Sequence, residues 1–315
     1  MPIDTAVIGT VVMDVTAESV GLQADWKEKQ RIDGIRLAIG GDGANQSIRM
    51  ADLGMSVSIT GCVGKDMAGM LAREALRKRG VDVSHMKESP DRETGTALIL
   101  LREDGDRNIF SNNGAHPQVF KEDCAWIRKA DIRALSIASL FCLPYLEEDG
   151  LMELLKDCRK RGILTFADLG SDKNKQGLPG IRPFLPWLDY FLPSEEDALA
   201  MTGTDTPEAA AEVYLQNGAS SVVIKCAARG AYYRTENEGG WVPALPVTPV
   251  DTTGAGDCFA AHFIHGILKG LPLQDACRKA CEAASLSTMA RGASAVPLGD
   301  IAAAAETGGT ESRRD

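Results

Sequence analysis

Short apolar runs rich in β-formers alternate with longer stretches of helical periodicity along the whole chain, and this alternation leaves few architectures open. Strands are predicted at 6–8, 57–61, 97–101, 134–137, 164–167, 190–192 and 221–224. Helices are predicted at 44–53, 66–78, 147–161, 195–201, 207–216, 257–269 and 273–289, with Gly54, Gly80 and Gly270 as stops. Strands separated by helices imply a mainly parallel sheet covered on both faces, a three-layer α/β/α sandwich. A β-like run at 241–250 leads into the last pair of helices.

Two stretches lack room for a crossover helix. Residues 15–39 are polar and β-leaning, and 94–113 reads as a hairpin around Asp104-Gly105. They are expected to form a small antiparallel flap on the main domain; two ordinary surface loops are the alternative. The expectation is thus a single domain over 1–305 with a frayed, disordered tail at 306–315.

Charge and composition narrow the functional classes. With 315 residues, 44% of them hydrophobic and 25% charged, the chain is neither disordered nor a coiled coil. A formal net charge of −10 argues against a general nucleic-acid binder, which carries a basic face. It leaves small anions open, since a few local donors can hold a phosphate. The start of the chain lacks signal-peptide character, and no apolar run approaches the ~20 residues that span a bilayer. A cytoplasmic protein without a membrane partner is the expectation. Eight scattered cysteines without a CxxC fit free thiols, and Cys277 with Cys281, four apart, suit apolar packing better than zinc.

Chemistry concentrates in Asp251-Thr252-Thr253-Gly254-Ala255-Gly256-Asp257, where a small-residue turn opens a helical pattern. Amides in a first helical turn lack intrahelical partners, and the helix dipole favours negative charge, so Gly254, Ala255 and Gly256 form an anion site. Asp257 would repel the anion that this site holds. Its presence makes sense if it faces a hydroxyl that loses a proton while attacking phosphorus. The plainer alternative is an N-cap aspartate closing its own turn.

A second cluster, Gly40-Gly41-Asp42-Gly43-Ala44-Asn45-Gln46-Ser47, combines glycines that allow close approach with an Asn45 that both donates and accepts, as a polyol requires. A linker opening the next helix explains it equally well. Asp14 follows the first strand run, near the crevice of an open α/β sheet, where it could bridge vicinal hydroxyls or simply sit solvated in a turn. No Walker motif is present. Gly254-x-Gly256-x-x-Phe259 misses the third glycine of a dinucleotide fingerprint and comes too late in the chain, which weakens a dehydrogenase reading.

With both glycine clusters in this order, about 210 residues apart, the sequence resembles the ribokinase (phosphofructokinase-B) family of carbohydrate kinases over residues 4–301. The resemblance implies a ribokinase-like fold with a β-lid and transfer of the γ-phosphate of ATP to a hydroxyl of a small sugar. It also implies magnesium and frequently a homodimer joined through the lid. By it Asp257 is the base and Gly254, Ala255 and Gly256 the anion hole, while Asp14, Gly40, Gly41 and Asn45 hold the sugar. Ser194, Lys225 and Gly230 border the nucleotide, Asp197 orders magnesium-bound water, and Asp251 and Thr253 serve a potassium-type cation with the 291–295 loop.

Three positions depart from the family pattern. Ser194-Glu195-Glu196-Asp197 replaces Asn-x-x-Glu, Ala227 replaces a glycine, and no glutamate stands near Cys142. A nucleoside kinase on the same scaffold and a non-catalytic sensor of sugar or nucleotide are the rival readings.

Overall fold

A computed structural model describes residues 2–300, apart from 21–28, 30, 103–106, 171, 173 and 295 and the side chain of Arg107. The expected turn at Asp104-Gly105 and the 306–315 tail lie outside the described residues. The strands are β1 (Ile3–Ile8), β2 (Val12–Glu18), β3 (Gly34–Gly40), β4 (Val57–Thr60), β5 (Cys62–Gly64), β6 (Lys87–Ser89), β7 (Thr96–Leu101), β8 (Arg107–Asn112), β9 (Ile132–Leu140), β10 (Leu164–Leu169), β11 (Tyr190–Phe191), β12 (Ser221–Lys225), β13 (Ala231–Thr235) and β14 (Gly239–Val242). The helices are α1 (Asp42–Asp52), α2 (Met67–Lys78), α3 (Pro144–Glu148), α4 (Leu151–Arg161), α5 (Gly177–Ile181), α6 (Glu195–Thr202), α7 (Pro207–Gln216), α8 (Ala255–Leu268) and α9 (Leu273–Ser287).

The main sheet runs β14-β13-β12-β11-β10-β9-β1-β4. It is parallel from β4 to β12 and antiparallel only through the β12–β13–β14 edge. Side chains alternate between faces with the strand period of two, and the chain uses both faces for burial. Ala6, Ile8, Leu135, Ile137, Ala167, Val222 and Ile224 pack on one side with Leu154, Leu155 and Tyr214. Val7, Ala134, Ala138, Phe166 and Val223 pack on the other with Ile48, Leu76, Phe259 and Phe263. Cys277 and Cys281 are buried in this second cluster, as apolar packing requires. This is the α/β/α sandwich expected.

The 15–39 and 94–113 stretches contribute to a separate four-stranded sheet, β3-β2-β7-β8. Its outer pairings are antiparallel, while the middle one, β2 with β7, is parallel because the two hairpin-like arms enter from the same side.

Two expectations are corrected. The helix predicted at 147–161 is two helices, α3 and α4, divided at Asp149-Gly150. The β-like run at 241–250 pairs only as far as Val242. Beyond it Pro243, Pro246 and Pro249 offer no N–H to a ladder. No helix among the described residues is long and apolar enough to cross a membrane.

Candidate active site

Two helix starts meet at the C-terminal ends of the parallel strands. Gly254 opens α8 at φ +73°, and a β-carbon there would lie 2.3 Å from that of Ala293, so only glycine fits. Gly254 is the N-cap, and α8 has no side-chain cap, so the alternative of Asp257 as an N-cap is set aside. The Ala255 amide donates to the Thr252 carbonyl at 3.2 Å. The open donors of this turn are therefore those of Gly256 and Asp257 rather than of Ala255.

Asp257 is buried and held from α1. Asn45 Nδ2 donates to its Oδ2 at 2.9 Å and Gln46 Nε2 to its Oδ1 at 3.3 Å. Gln46 Oε1 accepts from the Ser136 hydroxyl on β9 at 3.0 Å, which fixes the amide so that its nitrogen faces the acid. The early glycine cluster is therefore no linker. Gly41 caps α1 at φ +92°, close against the Thr10 carbonyl, and the next residue, Asp42, takes the Thr10 hydroxyl with its amide at 3.0 Å. Across the lid hinge the Asp14 carboxylate lies against Gly40, where a β-carbon would be 2.4 Å from Oδ2. Burial, with the nearby charge of Asp251, pushes Asp14 up to about 6.

On the other side of Asp257, Lys225 Nζ donates to Asp168 Oδ2 at 2.5 Å. The same ammonium stands 3.4 Å from the point where a β-carbon on Gly256 would be. Three carboxyls thus share one ammonium. Burial, and then the charge of Asp168, pushes Asp42 up to about 7. Asp168 rises through burial, with Lys225 pulling it back. Asp257 is raised well above the carboxylate range by burial and then by Asp42, against the Asn45 bond. Asp42, Asp168 and Gln46 were not singled out from sequence. The available signal was position: Asp42 and Gln46 lie inside the glycine cluster, and Asp168 ends a strand at the same edge.

The remaining expected residues divide between two neighbouring places. Ser194, Lys225, Gly230 and Gly256 line a cavity of about 430 Å³ that continues away from Asp257. Ser194 caps α6, accepting the Asp197 amide at 3.1 Å while its hydroxyl donates to Asp197 Oδ2 at 2.5 Å. The Asp197 charge reaches Asp168 and helps to raise it. Asp251 and Thr253 are tied together, the Thr253 amide and hydroxyl both donating to Asp251 Oδ1 at 2.9 and 2.7 Å. The Gly292 amide donates to Asp251 Oδ2 at 2.9 Å, so its contact with Asp251 is a hydrogen-bond donor rather than a cation ligand.

Residues 3–298 match the sequence pattern of the family described as pfkB family carbohydrate kinase. The chain is 30% identical to a ribokinase of Schizosaccharomyces pombe, covering 84% of this chain and 85% of that one. It is 29% identical to a 2-dehydro-3-deoxygluconokinase of Bacillus subtilis, covering 81% and 82%. A solved structure of Arabidopsis thaliana ribokinase with ribose and ATP superposes with a TM-score of 0.80 at 26% identity, over 96% of this chain and 98% of that one. Fold and relatives define an enzyme, a phosphotransferase with an alcohol group as acceptor. The chain belongs to the pfkB family of carbohydrate kinases.

Proposed function

We propose that this enzyme transfers the γ-phosphoryl group of ATP to a hydroxyl of a small sugar. The acceptor lies between Asp14, Gly40, Gly41 and Asn45, and the nucleotide occupies the cavity that ends at Lys225 and Gly256. The acceptor oxygen attacks the γ-phosphorus and gives its proton to Asp257, the β,γ-bridging bond breaks, and ADP leaves. The amides of Gly256 and Asp257, with Lys225, take up the charge that develops on the transferring oxygens. The carboxylate oxygens of Asp197 and Asp168 suit magnesium, which would shield the phosphates when bound with the nucleotide. Asp251 and Thr253 offer the oxygens for a potassium-type ion.

The observation that carries this reading is the grip of Asn45 and Gln46 on both oxygens of Asp257. It joins the sugar-side cluster to the nucleotide-side turn at one carboxyl. A raised acid also suits a base that must be strong near neutral pH.

The lid would close over the acceptor and keep out water that could take the phosphoryl group. Its face away from Asp14 carries an apolar stripe in direct register across all four strands: Leu37, Val15, Leu98 and Phe110. Leu37 and Phe110 are 62% and 56% exposed, which supports a second copy of this chain as the cover.

Asp257→Asn tests the assignment. Turnover should fall by about 10²–10⁴-fold while sugar and nucleotide binding, read by calorimetry, stay within a few-fold. Near-normal turnover would refute it. A panel of sugars and nucleosides with coupled ADP detection, with and without potassium, identifies the acceptor and separates the sugar kinase from its rivals.

A further inference from the structure

The side chains that line the nucleotide cavity offer little by which hydrogen bonding could tell one purine from another. Beyond the phosphate end, its walls are Ala228, Ala244, Leu245, Pro246, Val247, Phe259 and Ala284, with few polar side chains among them. Among the described residues lining it, Lys225 is the one charged side chain, and it is bound to Asp168 beside Gly256. Among the described residues, no asparagine, glutamine, aspartate, glutamate, histidine or arginine lines the cavity. Such side chains would present fixed donors or acceptors to a base edge.

The polar side chains that remain are mostly committed inside the protein. Ser194 is bound to Asp197, the Thr288 hydroxyl donates to the Ser285 carbonyl at 2.7 Å, and the Ser285 oxygen accepts the Leu245 amide at 3.1 Å. Pro246 and Pro249 remove two backbone donors from the same wall. Ser285 and Thr252 can still turn their hydroxyl hydrogens, but a hydroxyl donates to a keto oxygen as readily as it accepts from an amino group.

We infer that this kinase reads its phosphoryl donor by shape and apolar contact, and that 6-keto purine nucleotides such as ITP and GTP replace ATP with little loss. The inference rests on the kinase reading above and narrows the donor class of the same site. Its physical basis is the asymmetry of recognition. A site that hydrogen-bonds a polar group rejects analogues lacking it by about 10⁴–10⁵-fold, whereas an apolar pocket separates near-isosteres by about 10²-fold or less.

The test uses the magnesium complexes of ADP, IDP and GDP, which bind without transferring phosphoryl, in calorimetry on the full chain. IDP reverses the polarity of the six-membered ring edge without adding bulk, and GDP adds one amino group. The three dissociation constants should agree within tenfold. ADP bound with IDP or GDP more than tenfold weaker overturns the inference and leaves the kinase reading standing. Absence of binding by all three overturns both. Ser285→Ala and Thr252→Val should weaken all three nucleotides by a common factor. An ADP-to-IDP ratio that changes more than tenfold in either variant would show that a hydroxyl reads the base, and would overturn the inference even if the wild-type constants agree.

Discussion

Helices α1 and α8 start differently from α6 and α7. Ser194 and Thr206 close the first turns of α6 and α7 with their own side chains, accepting from Asp197 and Ala209. Gly41 and Gly254 open α1 and α8 with no side-chain cap, in left-handed or otherwise positive-φ backbone. A cap is worth about 1 kcal/mol, so an uncapped start forgoes stability. The two uncapped helices place Asn45 and Asp257 within hydrogen-bond reach of each other. Helix α1 gives the amides of Asp42 and Ala44 to Thr10, while α8 has Gly256 and Asp257 in its first turn, where amides lack intrahelical partners. The closed starts hold the fold together; on the proposed mechanism the open start of α8 keeps the amides of Gly256 and Asp257 for the phosphoryl group.

The most severe way to break this contrast is Gly254→Ala. The left-handed backbone alone costs a residue with a β-carbon about 1–2 kcal/mol, and the Ala293 contact adds to it. Turnover should drop more than about tenfold, with a lower denaturation midpoint, because on the proposed mechanism the displaced turn carries the donors that face the transition state. A variant with normal turnover would show that the open start is dispensable.

Asp42→Asn sharpens the comparison from the other open helix. Removing that like charge should let Asp257 ionise at lower pH, so the acid limb of the kcat/KM profile moves down. Stability supplies a second readout with a definite sign. Asp42 is raised from 3.8 to about 7 in the folded chain, so the unfolded chain releases this proton first as pH rises. Its contribution to stability is therefore complete below 3.8 and is lost through about 7, and the asparagine variant should lack that part of the decline in urea titrations at pH 5 and 8. An unchanged pH profile would place Asp42 outside the electrostatics of the base.

The smallest effect is expected at a closed start. Thr206→Ala should cost about 1 kcal/mol of stability in denaturant titration and leave turnover unchanged. A loss of turnover there would erase the division between the two kinds of helix.

The parallel sheet was readable because strands buried on both faces are almost continuously apolar, as at 134–137. The lid was harder. In β2, Asp14, Thr16 and Glu18 alternate with apolar residues as in a half-buried strand, but the strand starts at Val12, three residues before the 15–39 stretch read as lid. The division between α3 and α4 was hidden because Leu146, Leu151, Leu154 and Leu155 keep apolar spacing across it. In the site, glycine turns flag Asp257 and Asn45, though a glycine start alone is not diagnostic, since Gly150 opens α4 in the same way. Asp168 carries no such mark: an acid after a strand looks like any turn carboxylate until folding sets it against Lys225.

Arg49 of α1, almost wholly buried, donates to the Ala293 and Val296 carbonyls at 2.9 and 2.8 Å. The Ser294 hydroxyl reaches Asn45 at 3.4 Å. These bonds span nearly 250 positions of sequence. During synthesis the early half of the pocket must wait, its guanidinium without acceptors, while the ribosome works through everything in between. An emerging chain that stalls before Ala293 would lack the carbonyls that Arg49 requires.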